Sequence, residues 1–138
     1  NVWWSISSHI PNAARVADEL APAIADRLAR YDIHAALFVP SSRLCHQTLG
    51  IIARCVEMAG IPTMLLSVDP KMTDKVRPPR TAYYNGELGS VAGKPNWREY
   101  QLRVLDEALR WTETFDQPVS RKLAVDLETS VEAARGER

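Results

Sequence analysis

The sequence predicts an α/β domain built on a small parallel sheet. Three observations point there. The run Ile33 to Val39 is, apart from His34, apolar without alternation, the pattern of a strand buried on both faces. A helix-like stretch from about Arg43 to Ala59 follows, with Leu49, Ile52 and Val56 on one side. A second short apolar run, Thr63 to Val68, comes next. Strand, helix and strand within about 35 residues make a right-handed βαβ unit.

The flanking elements are read in order. Val2 to Ile6 is β-branched and aromatic and is expected to be a strand. Ser7-Ser8-His9 is a polar turn. From about Asn12, Val16, Leu20, Ile24 and Leu28 recur at helical spacing, and Pro22 predicts a kink or a fresh helix start. Gly60 is a C-cap before Ile61-Pro62. Asp69 to Asn96 holds Pro70, Pro78, Pro79, Pro95, Gly86, Gly89 and Gly93 and is expected to be a long irregular excursion. Trp97 to Phe115 returns to helical spacing through Gln101, Val104, Ala108 and Trp111. After Pro118, Val119, Leu123, Leu127 and Val131 suit a last amphipathic helix. The expected architecture is three-layered, with a βαβ core. Three strands are few for a parallel sheet, so upstream sequence or a partner chain is expected to complete it.

Length and composition narrow the function. The 138 residues suit one domain, spanning 1–138. The opening Val2-Trp3-Trp4 without an initiator methionine reads as a processed subunit or the C-terminal part of a larger protein. Lys plus Arg and Asp plus Glu are both 17, which steers the chain neither to nucleic acid nor to anionic lipid. No apolar run approaches the roughly 20 residues a bilayer requires. With no signal-peptide pattern and two cysteines, a cytoplasmic location is expected.

Chemistry concentrates in Pro40-Ser41-Ser42-Arg43-Leu44-Cys45-His46, where a strand ends and a helix begins. Ligands of open α/β sheets bind outside the carboxyl ends of the strands, and helix N-termini favour anions. A cysteine in a first helical turn is either a small buried residue or a nucleophile whose thiolate the helix stabilises. Ser42 lies one turn before Cys45. Cys55 falls mid-helix and reads as core. No metal-ligand spacing is present, since Cys45 and His46 are adjacent and His9 and His34 belong to other segments. Ser42 has no His-Asp partner set. Arg43 and Arg80 are anion-binding candidates or solvated charges, and Ser41 and His46 complete the candidate substrate-binding set.

The same segment resembles the selenoprotein B subunits of the glycine, sarcosine, betaine and D-proline reductases, most of all the D-proline member. The motifs are Ser42-x-x-Cys45-His46, Gly60-Ile61-Pro62-Thr63, Pro79-Arg80, Gly93-Lys94-Pro95-Asn96 and Gln101-x-Arg103-x-Leu105, collinear from about Ile33 to Trp111. The resemblance implies reductive cleavage of a C–N bond. A selenolate attacks a carbon that a pyruvoyl group on a partner subunit activates, and a nearby cysteine resolves the adduct. Ser42 stands where that family has selenocysteine, and Cys45 matches the resolving cysteine. A serine hydroxyl is un-ionised at neutral pH and forms no redox bond. The resemblance therefore implies one of three things. Cys45 acts alone on a small nitrogen-containing substrate. The chain is a non-catalytic assembly subunit, with Trp3, Trp4, Tyr83 and Tyr84 at an interface. Or it runs non-redox lyase or hydrolase chemistry on the same scaffold.

Overall fold

The computed structural model describes residues 2–7, 10–90 and 92–126. Asn12 caps the first helix, its side chain accepting from Arg15 N at 3.1 Å. That helix runs α1 (Ala13–Arg15), a π-helical turn (Val16–Leu20) and α2 (Ala21–Leu28). The wide turn is the answer to Pro22, which has no N–H to donate and whose ring would crowd the preceding turn. Ala21 N bonds back five residues to Val16 O instead.

The sheet follows, with β1 (Ala36–Phe38), α3 (Arg43–Met58), β2 (Thr63–Ser67), α4 (Pro70–Val76), β3 (Arg80–Tyr83), α5 (Arg98–Thr114) and β4 (Val119–Lys122). Its order is β1-β2-β3-β4, all parallel, with Leu37 beside Met64, Leu66 beside Ala82 and Ala82 beside Arg121. Every residue of β2 is buried. The expected α/β class and the βαβ core are both present.

Alternate residues of the strands feed two cores. On one face Ile52 and Val56 of α3 pack with Val16, Ala21, Ala25, Leu28 and Ile61, against Ala36 and Phe38. On the other, Tyr100, Val104 and Ala108 of α5 pack on Met64, Leu66 and Ala82, beside Leu37. The strands advance in chain order while the connections change face. The β3–α5–β4 crossover therefore has the opposite hand to β1–α3–β2, and one of the two departs from the usual right-handed rule. Gly50 lets α3 and α4 approach closely, because a Cβ there would meet Val76 Cγ1 at 2.8 Å.

Several expectations are corrected. Val2 to Ile6 forms no strand among the described residues. Ile6 instead packs beside the α3 core, and Trp4 meets the Tyr31 ring edge-on. The strand expected over Ile33 to Val39 is three residues long and half-buried, at the sheet edge. The stretch from Asp69 to Asn96 is not all irregular, since it holds α4 and β3. Its prolines sit where they cost no hydrogen bond: Pro70 is the first residue of α4, and Pro78-Pro79 precede β3. Residues 119–122 are an edge strand and not a helix, paired with β3. Arg121 there lies over the rings of Trp111 and Phe115, at 5.8 and 5.1 Å. Tyr100, not Gln101, occupies the core face of α5. His9, Leu127 and Val131 lie outside the described residues. Among the described residues, no helix is long and apolar enough to cross a membrane.

The α3 core sets the position of everything at the start of that helix. Ile52 is fully buried there. Ile52→Ala is expected to lower unfolding free energy by about 2–5 kcal/mol, from lost apolar transfer plus the cavity left behind. Urea unfolding monitored by far-UV circular dichroism measures it.

Candidate functional site at the carboxyl edge of the sheet

Parallel strands put all their carboxyl ends on one edge, so the β1–α3 and β2–α4 junctions are neighbours. Ser42 is the N-cap of α3, in extended conformation, and its Oγ accepts from Cys45 N at 3.1 Å. Ser41 Oγ lies 3.7 Å from Cys45 Sγ. Cys45 is only 8% exposed. Burial pushes its pKa up, but hydrogen bonds from the side chains and backbones of Ser42 and Ser41 together outweigh that and hold it below the ordinary 9.0.

His46 is fully buried. Its Nε2 accepts from Val68 N at 3.2 Å, at the end of β2. A ring nitrogen that accepts an N–H carries no proton, so the proton is assigned to Nδ1, which donates to Ser42 O at 2.6 Å. Burial lowers the His46 pKa below 6.5, against smaller upward pulls from the Ser42 carbonyl and Asp69. Arg43 turns outward, 74% exposed, and its Nε reaches Asp69 Oδ2 at 3.3 Å. Asp69 was not singled out from the sequence. It caps α4 by accepting from Met72 N at 3.2 Å, and Ser67 Oγ accepts its own N–H at 3.1 Å. Asp69-Pro70, an N-cap followed by a proline at N1, was the signal that could have marked it.

Ser41, Ser42, Arg43, Cys45 and His46 thus come together. Arg80 does not join them. It begins β3, at the opposite edge of the sheet, where Nη2 pairs with Glu57 Oε1 at 2.9 Å. Glu57 also accepts from Thr63 Oγ1 at 2.6 Å. That carboxylate is roughly 18 Å along α3 from Cys45 at the helical rise, so Arg80 is tied to structure far from the thiol. Cys55 is about 15 Å from Cys45 by the same rise. A groove of about 660 Å³ lies at that far edge too, lined by Arg54, Met58, Arg77, Pro78 and Pro118 among others, with neither cysteine nor histidine. It holds none of the residues gathered around Cys45.

A second polar cluster at the carboxyl ends of β3 and β4 was missed from sequence. Asp126 is buried and accepts from Tyr100 Oη and Asn85 N, both at 3.2 Å. Lys122 Nζ is 3.1 Å from its other oxygen. Burial and the Asp126 charge push the Tyr100 pKa up. Tyr84 is buried as well, its hydroxyl donating to Ser90 O at 2.9 Å. It is a core residue and not an interface one, whereas Trp3 is 93% exposed. Only the i,i+4 spacing to Lys122 is a local signal for Asp126; its partners Asn85 and Tyr100 come from distant segments. Among the described residues, no three His, Cys, Asp or Glu side chains converge to hold a metal ion.

Over 96 residues, 70% of its length, the chain is 28% identical to D-proline reductase subunit gamma from Acetoanaerobium sticklandii. The chain is a relative of that reductase subunit. The match covers 40% of the relative's length. No family model matches the chain, and no solved structure matches it.

The neutral, buried His46 makes a pH prediction. Its folded-state pKa lies below the unfolded value, so the unfolded chain binds the extra proton first. The stability it contributes is complete above about 6.5 and is lost as pH falls through the folded-state value. Melting temperature followed from pH 7.5 to 5 is expected to fall more steeply in the wild type than in His46→Gln. The difference between the two profiles isolates this group from the carboxylates.

Proposed function

We propose that the chain is a reductase-type subunit that uses the Cys45 thiol on a small nitrogen-containing substrate, cleaving a C–N bond reductively. The observation that carries this is the Ser41-Ser42-Cys45 turn, whose hydrogen bonds hold the thiol below its ordinary pKa. The relative, a D-proline reductase subunit, supports the reaction class. Ser42 stands in the selenocysteine position of the family and acts as N-cap and thiol partner, not as nucleophile.

The chemistry balances with two thiols. The Cys45 thiolate forms a C–S bond at the substrate carbon, and the C–N pair leaves on nitrogen, which takes a proton. A second thiol then attacks the Cys45 sulfur. An S–S bond forms, the C–S pair returns to carbon, and carbon takes a proton. Two thiols are oxidised to a disulfide and one C–N bond becomes C–H and N–H. The second thiol comes from outside this chain as a reducing dithiol, because Cys55 is beyond disulfide reach on the same helix. A pyruvoyl group on a partner subunit would withdraw electrons from the substrate carbon. No residue of this chain is assigned to hold that group.

The partner subunit and the substrate belong to the same proposal. With the assembled protein, dithiothreitol and D-proline or a related N-substituted amino acid, Cys45→Ala is expected to abolish formation of the free amine, while Cys55→Ala retains it. Iodoacetamide is expected to label Cys45 with a pH midpoint below 9.0 and at pH 7 faster than Cys55. Equal, slow labelling of both cysteines removes the reactive-thiol reading. Full activity of the Cys45→Ala assembly would make the chain an assembly subunit instead.

A further inference from the structure

We infer that His46 is a positioning residue that locks the Ser42–Cys45 turn to the end of β2 through a neutral ring with its proton on Nδ1. This rests on Cys45 being the reactive thiol. The ring joins two junctions 22 residues apart in sequence. On one side Nδ1–H donates to Ser42 O, and on the other Nε2 accepts from Val68 N. Ser42 O also accepts the His46 backbone N–H at 3.1 Å, so one carbonyl is held twice by one residue. Ser42 Oγ in turn receives Cys45 N. Fixing the Ser42 peptide therefore fixes the cap, and the cap fixes the first turn that carries the thiol.

With both ring nitrogens engaged and the residue fully buried, nothing of the imidazole is left for a substrate. His46 touches no reacting atom and acts through Ser42. The Arg43–Asp69 pair joins the same two junctions, but its Arg43 side is 74% exposed and screened by solvent, whereas the ring is fully buried. Protonation would place an N–H on Nε2 against the Val68 N–H, donor facing donor. The charged groups near the ring are Asp69 and its partner Arg43, with the Cys45 thiol on the adjacent residue. The clamp thus exists only while the ring is neutral.

The test reads the Cys45 thiol, which a merely structural residue would not move. Iodoacetamide labelling of the full chain is followed against pH in wild type, His46→Gln, His46→Asn and His46→Phe, with mass spectrometry separating Cys45 from Cys55. Ring ¹⁵N shifts of the wild type report the tautomer. The expected wild type shows a neutral ring protonated at Nδ1. His46→Phe, which fills the space without a hydrogen bond, is expected to raise the Cys45 midpoint toward 9.0. At pH 7 labelling slows roughly threefold for each unit of that rise, since lost thiolate outweighs gained nucleophilicity. His46→Gln, which keeps an acceptor for Val68 N, is expected to lie closer to wild type than His46→Phe. A cooperatively melting His46→Phe with an unchanged midpoint overturns the inference. So does a wild-type ring protonated at Nε2. Should His46→Phe not fold, His46→Asn and His46→Gln decide: unchanged midpoints in both overturn it, and a rise in either supports it. If wild-type Cys45 titrates no lower than Cys55, the reactive-thiol proposal fails, and the tautomer measurement still judges the clamp on its own.

Discussion

The burial of β2 on both faces is the constraint on which the rest of the molecule depends. Its five residues, Thr63 to Ser67, are all buried, and a strand in that position requires apolar cover above and below. Leu65 therefore needs the α3 side, while Met64 and Leu66 need the α5 side. Cover on both sides explains why the chain leaves β3 by the opposite face from the one it used after β1. It also explains why the second crossover takes the other hand. The polar residues of β2 sit at its two ends, each with a partner: Thr63 on Glu57 and Ser67 on Thr73.

The same alignment builds the site. Parallel strands deliver their carboxyl ends to one edge, so the Ser42 junction and the Val68 junction lie side by side without any sequence nearness. A buried imidazole then crosses the gap. Such a group is costly to bury unless its hydrogen bonds are complete, and here both ring nitrogens are satisfied. The serines around Cys45 do the opposite work to burial. They supply hydrogen bonds that favour the thiolate, in a place where the apolar surroundings alone would have suppressed it. The hydrogen bonding of Cys45 at this edge is thus set by the cap of a helix that Ile52 and Val56 anchor in the core.

Much of the core was legible in the sequence, and for a definite reason. The helix over Arg43 to Met58 has a hydroxyl cap, a periodic apolar face and a glycine just past its end, so local and tertiary preferences agree. β2 was legible as an apolar run between Pro62 and Asp69. The errors fall where local signals were ambiguous. Val119 and Leu123 share helical spacing, but the segment pairs with β3 because the open edge offers it backbone partners. The prolines after Asp69 looked like loop, yet Pro70 and Pro79 stand at element boundaries. Val2 to Ile6 has strong strand composition and no ladder partner among the described residues.

At the site, the sequence by itself determined the chemistry on offer: a cysteine one turn after a serine, at a strand end, with a histidine beside it. Those facts follow from residue type and local spacing, which act over a few residues. Only the tertiary structure decided which of these groups meet. It turned His46 into the sheet to bind Val68, paired Arg43 with Asp69, and carried Arg80 to the opposite edge to meet Glu57. Strand direction decided that last separation. A residue at the start of one parallel strand and a residue after the end of another strand of the same sheet face opposite edges, however close their motifs stand in a linear comparison.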